Sequence, residues 1–263
     1  MKVGVITASF PLDTRAALRK AKELGAHGVQ LWIVNNELEP RKLTRSGRED
    51  LKTYMAQLAL ERSALCGDIG GFCDPAAVDE RVTRTKEMFD LCVDLETPIL
   101  TTHIGVVPED ASSKAYDMLL DAVRDVAEYA AERNCCFATE TGPESGEHLA
   151  AFLHRVQSEG AKVNLDPANL CMNGFDHLAD TRTLAPYIVH THAKDGIRNS
   201  ANEGGYREVA LGKGDVDFPA YLAVLREIGF TGYLTIEREC GDDPVGDIAE
   251  AIRFLKTQDG VDA

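Results

Sequence analysis

Short apolar runs alternate with longer stretches in which apolar residues recur every three or four positions, and this alternation repeats along the whole chain. A short run suits a buried strand, and the three-to-four spacing suits one buried face of a helix. Residues 2–7 (KVGVIT) read as a first strand, and residues 14–24 as a helix stopped by Gly25, a residue suited to the left-handed turn after a helix. A second strand follows at 28–34. Leu51, Met55 and Leu58 keep helical spacing over 47–60, and 64–67 form a short third strand before the loop GDIGG. A helix over 75–95 carries its stripe through Val78, Val82, Phe89 and Cys92, and 99–103 make a fourth strand.

The pattern then repeats. Ser112 or Ser113 caps a helix through Arg133, Asn134 ends it, and CCFATE to Glu140 is a fifth strand. Leu149, Phe152, Leu153 and Val156 stand at i, i+3, i+4 and i+7 of the next helix, and 162–166 (KVNLD) make a sixth strand. A short helix near 177–184 leads to a seventh strand at 187–192. From there to Asp217 lie about 20 residues with no helical or strand period, long for a compact domain and therefore a candidate lid. Asp217 caps a helix with Leu222, Leu225 and Ile228 inward, 233–237 form an eighth strand, and Asp243-Pro244 opens a final helix with Ile248, Ala251, Ile252 and Leu255 on one face.

Eight strands alternating with about eight helices predict an α/β protein, and in this length a single (β/α)8 TIM barrel domain spanning residues 1–263. An open doubly wound sheet is the alternative. It normally carries a glycine-rich phosphate turn after its first strand, where this chain has ASFPLD. The GKG at Gly212–Gly214 comes late and reads as a flexible turn rather than a phosphate cradle.

Apolar residues at 44% and charged ones at 27% are ordinary for a globular protein with a large core. Lys and Arg number 28 against 43 Asp and Glu, a formal charge of −15, which opposes binding to nucleic acid. The N-terminal MKVGVITASF is too short and interrupted for a signal peptide or membrane span, so a cytoplasmic protein without a membrane partner is expected. The seven cysteines lack C-x-x-C spacing and read as reduced packing residues.

Candidate chemistry collects at strand ends. The segment YIVHTHAKDGIR turns from apolar to polar at its C-terminal end, and period-two alternation puts His190, His192 and Lys194 on one side. Strands five to eight end in Glu140, Asp166, His192 and Glu237, each preceded by inward positions such as Ala138, Asn164, His190 and Thr235. In a barrel these four converge at one rim. Three carboxylates and an imidazole there repel one another unless a cation neutralises them, and the donor set suits Mn²⁺, Mg²⁺ or Co²⁺, with Zn²⁺ also compatible.

The segments ETGPE, NLDPAN, HTHAKD and LGKGDVDFPAYLAVLREIGFTGYLTIERE, in this β/α order, resemble the xylose-isomerase-like sugar isomerase/epimerase superfamily over nearly the whole chain. The resemblance implies one divalent ion on Glu140, Asp166, His192 and Glu237, with Glu140 and Glu237 also catalytic and Arg198 holding the substrate. It implies a metal-dependent isomerase or epimerase that removes a proton next to a carbonyl of a small carbohydrate or keto-acid. Two positions depart from the pattern: Asn169 stands where many epimerases have His, and Gln30 where many have Glu. His103 and Lys194 are expected in the same cup, and all four are counted with Arg198 as substrate contacts. A metal-dependent lyase or dehydratase on a keto-sugar or cyclitol is the main alternative, since the same enolate can expel a leaving group. An abasic-site endonuclease is a lesser one, because His192 is the last histidine and the net charge is negative. The pattern leaves open whether identical copies assemble.

Overall fold

The computed structural model describes residues 1–198 and 205–263. Eight parallel strands close into a barrel: β1 (Lys2–Ile6), β2 (Gly28–Trp32), β3 (Glu61–Cys66), β4 (Ile99–Thr102), β5 (Cys136–Glu140), β6 (Ala161–Leu165), β7 (Ile188–Ala193) and β10 (Tyr233–Ile236). Each pairs with its sequence neighbours in the barrel, and β10 closes the ring on β1 through Val3 opposite Leu234 and Val5 opposite Ile236. The expected (β/α)8 barrel is therefore the observed fold.

The helices packed outside are α1 (Thr14–Leu24), α2 (Arg45–Gln57), α3 (Val78–Asp94), α4 (Lys114–Ala131), α5 (Gly146–Val156), α6 (Pro167–Asn173), α7 (His177–Leu184), α8 (Phe218–Glu227) and α9 (Pro244–Lys256). Side-chain caps start them where the sequence placed Ser, Thr or Asp: Ser113 accepts from Tyr116 N, Asp217 from Ala220 N and Asp243 from Gly246 N. Gly25 ends α1 at φ 92°, a conformation that costs glycine little. The helix stripes meet the outer face of the strands in one continuous core that includes Leu18, Met55, Phe89, Val123, Phe152, Leu222 and Ile252.

Two elements depart from the sequence reading. Helix α6 follows β6 directly because Asp166 caps it and Pro167 stands in its first turn, where a missing N–H costs nothing. The connection after β7, expected to have no strand period, contains an antiparallel hairpin of β8 (Asp195–Arg198) and β9 (Tyr206–Val209), paired from Asp195–Val209 to Arg198–Tyr206. The alternation is too short there, and too polar, to be visible without its partner strand. The tip of the expected lid, 199–204, lies outside the described residues. Cys66, Cys92, Cys135 and Cys171 are buried and Cys136 partly so, but Cys73 and Cys240 are exposed, so packing accounts for only part of the set.

At the N-terminal end of the barrel the half-buried Tyr233 ring packs against Gly4 and Gly28, where a Cβ would come within 3.1 and 2.8 Å of it. Its hydroxyl donates to Glu61 Oε2 at 2.6 Å. The polar inward residues above it lie toward the C-terminal mouth, where the βα connections place active sites in this architecture. Among the described residues no helix is long and apolar enough to cross a membrane.

Candidate metal centre

Glu140, Asp166, His192 and Glu237 come from the C-terminal ends of β5, β6, β7 and β10, and each offers a ligand atom such that all four lie within 4.8 Å of one another. His192 Nδ1 sits at the middle: Glu237 Oε2 is 3.3 Å away, Glu140 Oε1 3.5 Å and Asp166 Oδ2 3.7 Å. His192 and Asp166 are fully enclosed, and Glu140 nearly so.

Hydrogen bonds beneath the cup fix how each ligand faces. A carboxylate only accepts, so Asn164 turns its Nδ2 to Glu140 Oε2 (3.2 Å) and its Oδ1 to His190 Nδ1 (2.8 Å). His190 therefore carries its proton on Nδ1, and its Nε2 accepts from Thr235 Oγ1 (2.9 Å). Burial, with the neighbouring His192, holds His190 well below the ordinary imidazole pKa, so it stays neutral. On the other side, Thr101 gives its hydroxyl proton to Leu65 O (3.3 Å) and accepts from Gln30 Nε2 (2.6 Å). That orients Gln30 Oε1 toward His192 Nε2 at 2.9 Å, where an Nε2–H can donate to it, while Asn164 Nδ2 lies 3.2 Å from the same nitrogen; with Nε2 turned to the barrel interior, Nδ1 faces the carboxylates.

Asp166 is divided between two tasks. Its Oδ1 accepts from Ala168 N (2.8 Å) and Asn169 N (3.1 Å) as the cap of α6, while Oδ2 has no partner. Thr141 joins β5 to β6 by accepting from Asp166 N and donating to Asp166 O, which fixes the spacing of Glu140 and Asp166.

Asp166 Oδ2 and His192 Nδ1 are buried 3.7 Å apart, and among the described residues neither makes a hydrogen bond of ordinary length. A buried polar atom without a partner costs on the order of 1–3 kcal/mol, so a partner of complementary charge is called for. The electrostatics agree. Burial alone would strip a second proton from His192, yet the Glu237 and Glu140 carboxylates raise it well above the ordinary value. Burial likewise raises Glu237, but His192 and Lys194 outweigh it and hold that carboxyl far below its usual range. The cup thus demands positive charge at the Nδ1 position. Three carboxylates and one imidazole nitrogen, with the other nitrogen tied to an acceptor behind it, fit a divalent ion.

The remaining expected residues take different places. Lys194, 5% exposed, bridges Glu237 Oε2 (2.9 Å) and Glu239 Oε2 (2.5 Å). Its ammonium is raised well above the ordinary value: burial opposes this, but the surrounding carboxylates prevail. His103 lies at the open side, with Nδ1 2.7 Å from Asp68 Oδ2 and Nε2 3.7 Å from Glu140 Oε1. Glu140 foremost, and then Asp68 against the effect of burial, lift it to about 9. Asn169 donates to Glu140 Oε1 (3.0 Å) and Thr141 O (3.1 Å), so it supports a ligand.

Two residues expected to contact substrate stand apart from the four converging groups. Gln30 is fully buried with both ends of its amide engaged by the protein, and it orients His192 from behind because a strand-two residue at this depth lies below the mouth. Arg198 is exposed, with its guanidinium over Gly174 at the end of α6 and its backbone N donating to Asp215 Oδ2 (2.8 Å); no ion pair joins it to the four converging groups. Asp68, Glu239 and the supporting role of Asn164 escaped the sequence reading. Asp68 follows the end of strand three within GDIGG, the only signal available for it.

With this geometry in place, the chain matches the xylose isomerase-like TIM barrel family over residues 18–258. The chain belongs to that family. A xylose isomerase domain protein from Planctomyces limnophilus superposes with a TM-score of 0.85 at 29% identity, covering 97% of this chain and 95% of that one. A probable 3-DHS dehydratase involved in petrobactin synthesis in Bacillus anthracis superposes at 0.80 with 18% identity, over 97% and 99% of the two chains, a likeness of fold. L-Ribulose-5-phosphate 3-epimerase of Shigella flexneri is 20% identical over 92% of this chain and 88% of its own.

Proposed function

We propose that this protein is a divalent-metal-dependent sugar isomerase or epimerase that removes a proton from the carbon next to a carbonyl of a small carbohydrate. The observation carrying this reading is the convergence of Glu140, Asp166, His192 and Glu237, whose ligand atoms lie within 4.8 Å of one another. A distant epimerase relative of nearly equal length supports it.

Glu140, Asp166, His192 and Glu237 would hold the ion, with Mn²⁺, Mg²⁺ or Co²⁺ favoured by the oxygen-rich set. Once bound, the ion supplies a Lewis acid for the negative charge that develops on oxygen as the proton leaves carbon. Glu140 and Glu237 are the bases. Glu140 is kept in place by Asn164 on one oxygen and Asn169 on the other. Glu237 is kept ionised by His192 and Lys194 against the effect of burial, so it is ready to accept a proton rather than to donate one. A proton taken by one glutamate and returned by the other from the opposite face inverts the carbon, and return to the neighbouring carbon converts aldose and ketose.

A lyase reading has its own support. His103, held through Nδ1 by Asp68, presents Nε2 at the open side of the cup next to Glu140, where it could protonate a departing hydroxyl or sugar oxygen. Product analysis distinguishes elimination from isomerisation.

The test is metal analysis followed by a deuterium-exchange screen in D₂O over ketoses, keto-acids and keto-glycosides. Exchange at the carbon beside the carbonyl should appear with the ion and vanish after chelation. A protein that holds one ion at the four ligands and exchanges no member of the panel would sink the proposal.

A further inference from the structure

The four converging groups call for positive charge, and one cation of the protein already stands at their edge. Lys194 Nζ donates to Glu237 Oε2 at 2.9 Å, and that same oxygen lies 3.3 Å from His192 Nδ1. An ion in the cup and the ammonium therefore compete for one carboxylate oxygen, and the two positive charges repel each other. How closely Lys194 keeps to Glu237 depends on its second partner.

That partner is Glu239, whose Oε2 lies 2.5 Å from Nζ. Its place is set from the hairpin: Glu208 of β9 accepts from Glu239 N with both Oε1 and Oε2 (3.2 Å each) and from Arg238 Nη1 (2.5 Å). Arg238 is fixed in turn, through Nε to Asp247 Oδ2 in the first turn of α9 (2.8 Å) and through its backbone N to Ser9 Oγ after β1 (2.8 Å). Gly241, at φ 118°, leaves room for the guanidinium, which a Cβ there would overlap. The Glu208 and Arg238 side chains are only 7% and 11% exposed, and a charged hydrogen bond shielded from water is stronger than one at the surface.

These links form a ring. Next to Lys194, β8 begins at Asp195, whose carboxylate accepts from Gly212 N (2.9 Å) and Gly214 N (2.8 Å) of the GKG turn and so fixes both ends of the connection. Gly196 of β8 stands opposite Glu208. From Glu208 the path runs to Glu239 N, along the Glu239 side chain and back to Lys194 Nζ. A shift of β9 against the segment after β10 is thus passed to the ammonium beside the cup.

We propose that Glu208 and Glu239 are positioning residues that draw Lys194 off Glu237 Oε2, so that the seating of the β8–β9 hairpin sets the affinity of the cup for its ion. This rests on Glu140, Asp166, His192 and Glu237 being ion ligands, and not on the reaction they perform.

Calorimetric titration with Mn²⁺ tests it through a double-mutant cycle. Glu239→Gln, at a side chain 65% exposed, leaves Lys194 with Glu237 alone and should weaken Mn²⁺ binding by ~3–10-fold. Lys194→Met removes the competing charge and should bind Mn²⁺ at least as tightly as the wild type. In the Lys194→Met background, Glu239→Gln should change affinity by less than about twofold at physiological salt, because an exposed charge is screened. Glu208→Ala should weaken Mn²⁺ binding as Glu239→Gln does and speed hydrogen exchange at the β9 amides.

Equal Mn²⁺ affinity in Glu239→Gln and wild type, or the same loss with and without Lys194, overturns the inference while the ion site stands. Faster exchange in Glu208→Ala with unchanged Mn²⁺ affinity overturns the part of the hairpin. If Glu208→Ala does not fold, the Glu239 and Lys194 cycle is the deciding result. A wild-type protein that takes up no Mn²⁺ overturns the ion site and this inference together.

Discussion

Gln30 Oε1 lies 2.9 Å from His192 Nε2, and this contact decides which imidazole nitrogen faces the three carboxylates. Because Thr101 orients the Gln30 amide in turn, a chain of three side chains running from β4 through β2 to β7 prepares the His192 lone pair. Removing the acceptor should therefore cost affinity for the ion without touching a ligand.

Gln30→Leu leaves His192 Nε2 and Thr101 without this partner and should weaken divalent-ion binding by ~10–100-fold. Gln30→Glu keeps an acceptor for Nε2 and should bind the ion within about tenfold of the wild type. Calorimetric titration with Mn²⁺ reads both. Equal affinity in Gln30→Leu and wild type would show that the contact does not set the tautomer.

Ion binding should also release a proton. The carboxylates raise His192 well above its ordinary value against the effect of burial, so at neutral pH the imidazole holds a second proton that an ion at Nδ1 must displace. Apparent affinity should rise with pH, and titrations in buffers of different ionisation enthalpy should show about one proton released. Asp166→Asn should weaken binding and be partly rescued by excess ion. Asp166→Ala should in addition destabilise the fold by about 1 kcal/mol, because Oδ1 caps α6. Ion binding with no proton release at any pH between 6 and 8 would show that His192 is already neutral before the ion arrives.

Glu237→Gln keeps an oxygen for the ion and removes the base. At saturating ion it should lower deuterium exchange into substrate by ~10²–10⁴-fold while the bound ion, measured on the same samples, stays near one per chain. Exchange at the wild-type rate would take the base away from Glu237 and leave Glu140, held by Asn164 and Asn169, as the remaining carboxylate.

Glu144, in the loop after β5, is 7% exposed and its Oε2 has no partner; burial pushes it to about 7 from an ordinary value of 4.5, only partly opposed by its own backbone N–H, His148 and His103. The folded state therefore holds a proton that the unfolded chain releases near pH 4.5. This stabilisation is complete below that pH and is lost as pH rises through about 7. Glu144→Gln, which keeps the shape and cannot ionise, should show a smaller loss of stability between pH 5 and 8 than the wild type, read as denaturant midpoints. Parallel pH profiles for the two proteins would show that Glu144 is ionised throughout.

Strand and helix periodicity determined the barrel, because each βα unit must bury one face and eight such units in this length close on themselves. The same period-two alternation placed Glu140, Asp166, His192 and Glu237 on the inward side, since the pleat leaves no choice of face once the strand is buried. What alternation cannot give is depth and direction around the ring. Gln30 and His103 both sit near strand ends, yet the register of β2 sinks Gln30 behind His192, while His103 stands at the open mouth against Asp68. Hydrogen-bond direction is likewise a property of the assembled barrel: the turn of His192 Nε2 to the interior follows from Gln30, Thr101 and a carbonyl on β3, which are distant in sequence. The hairpin after β7 needed its partner strand, and the closing of the GKG turn on Asp195 needed the fold, because nothing local distinguishes a glycine turn that receives a ligand from one that receives its own carboxylate.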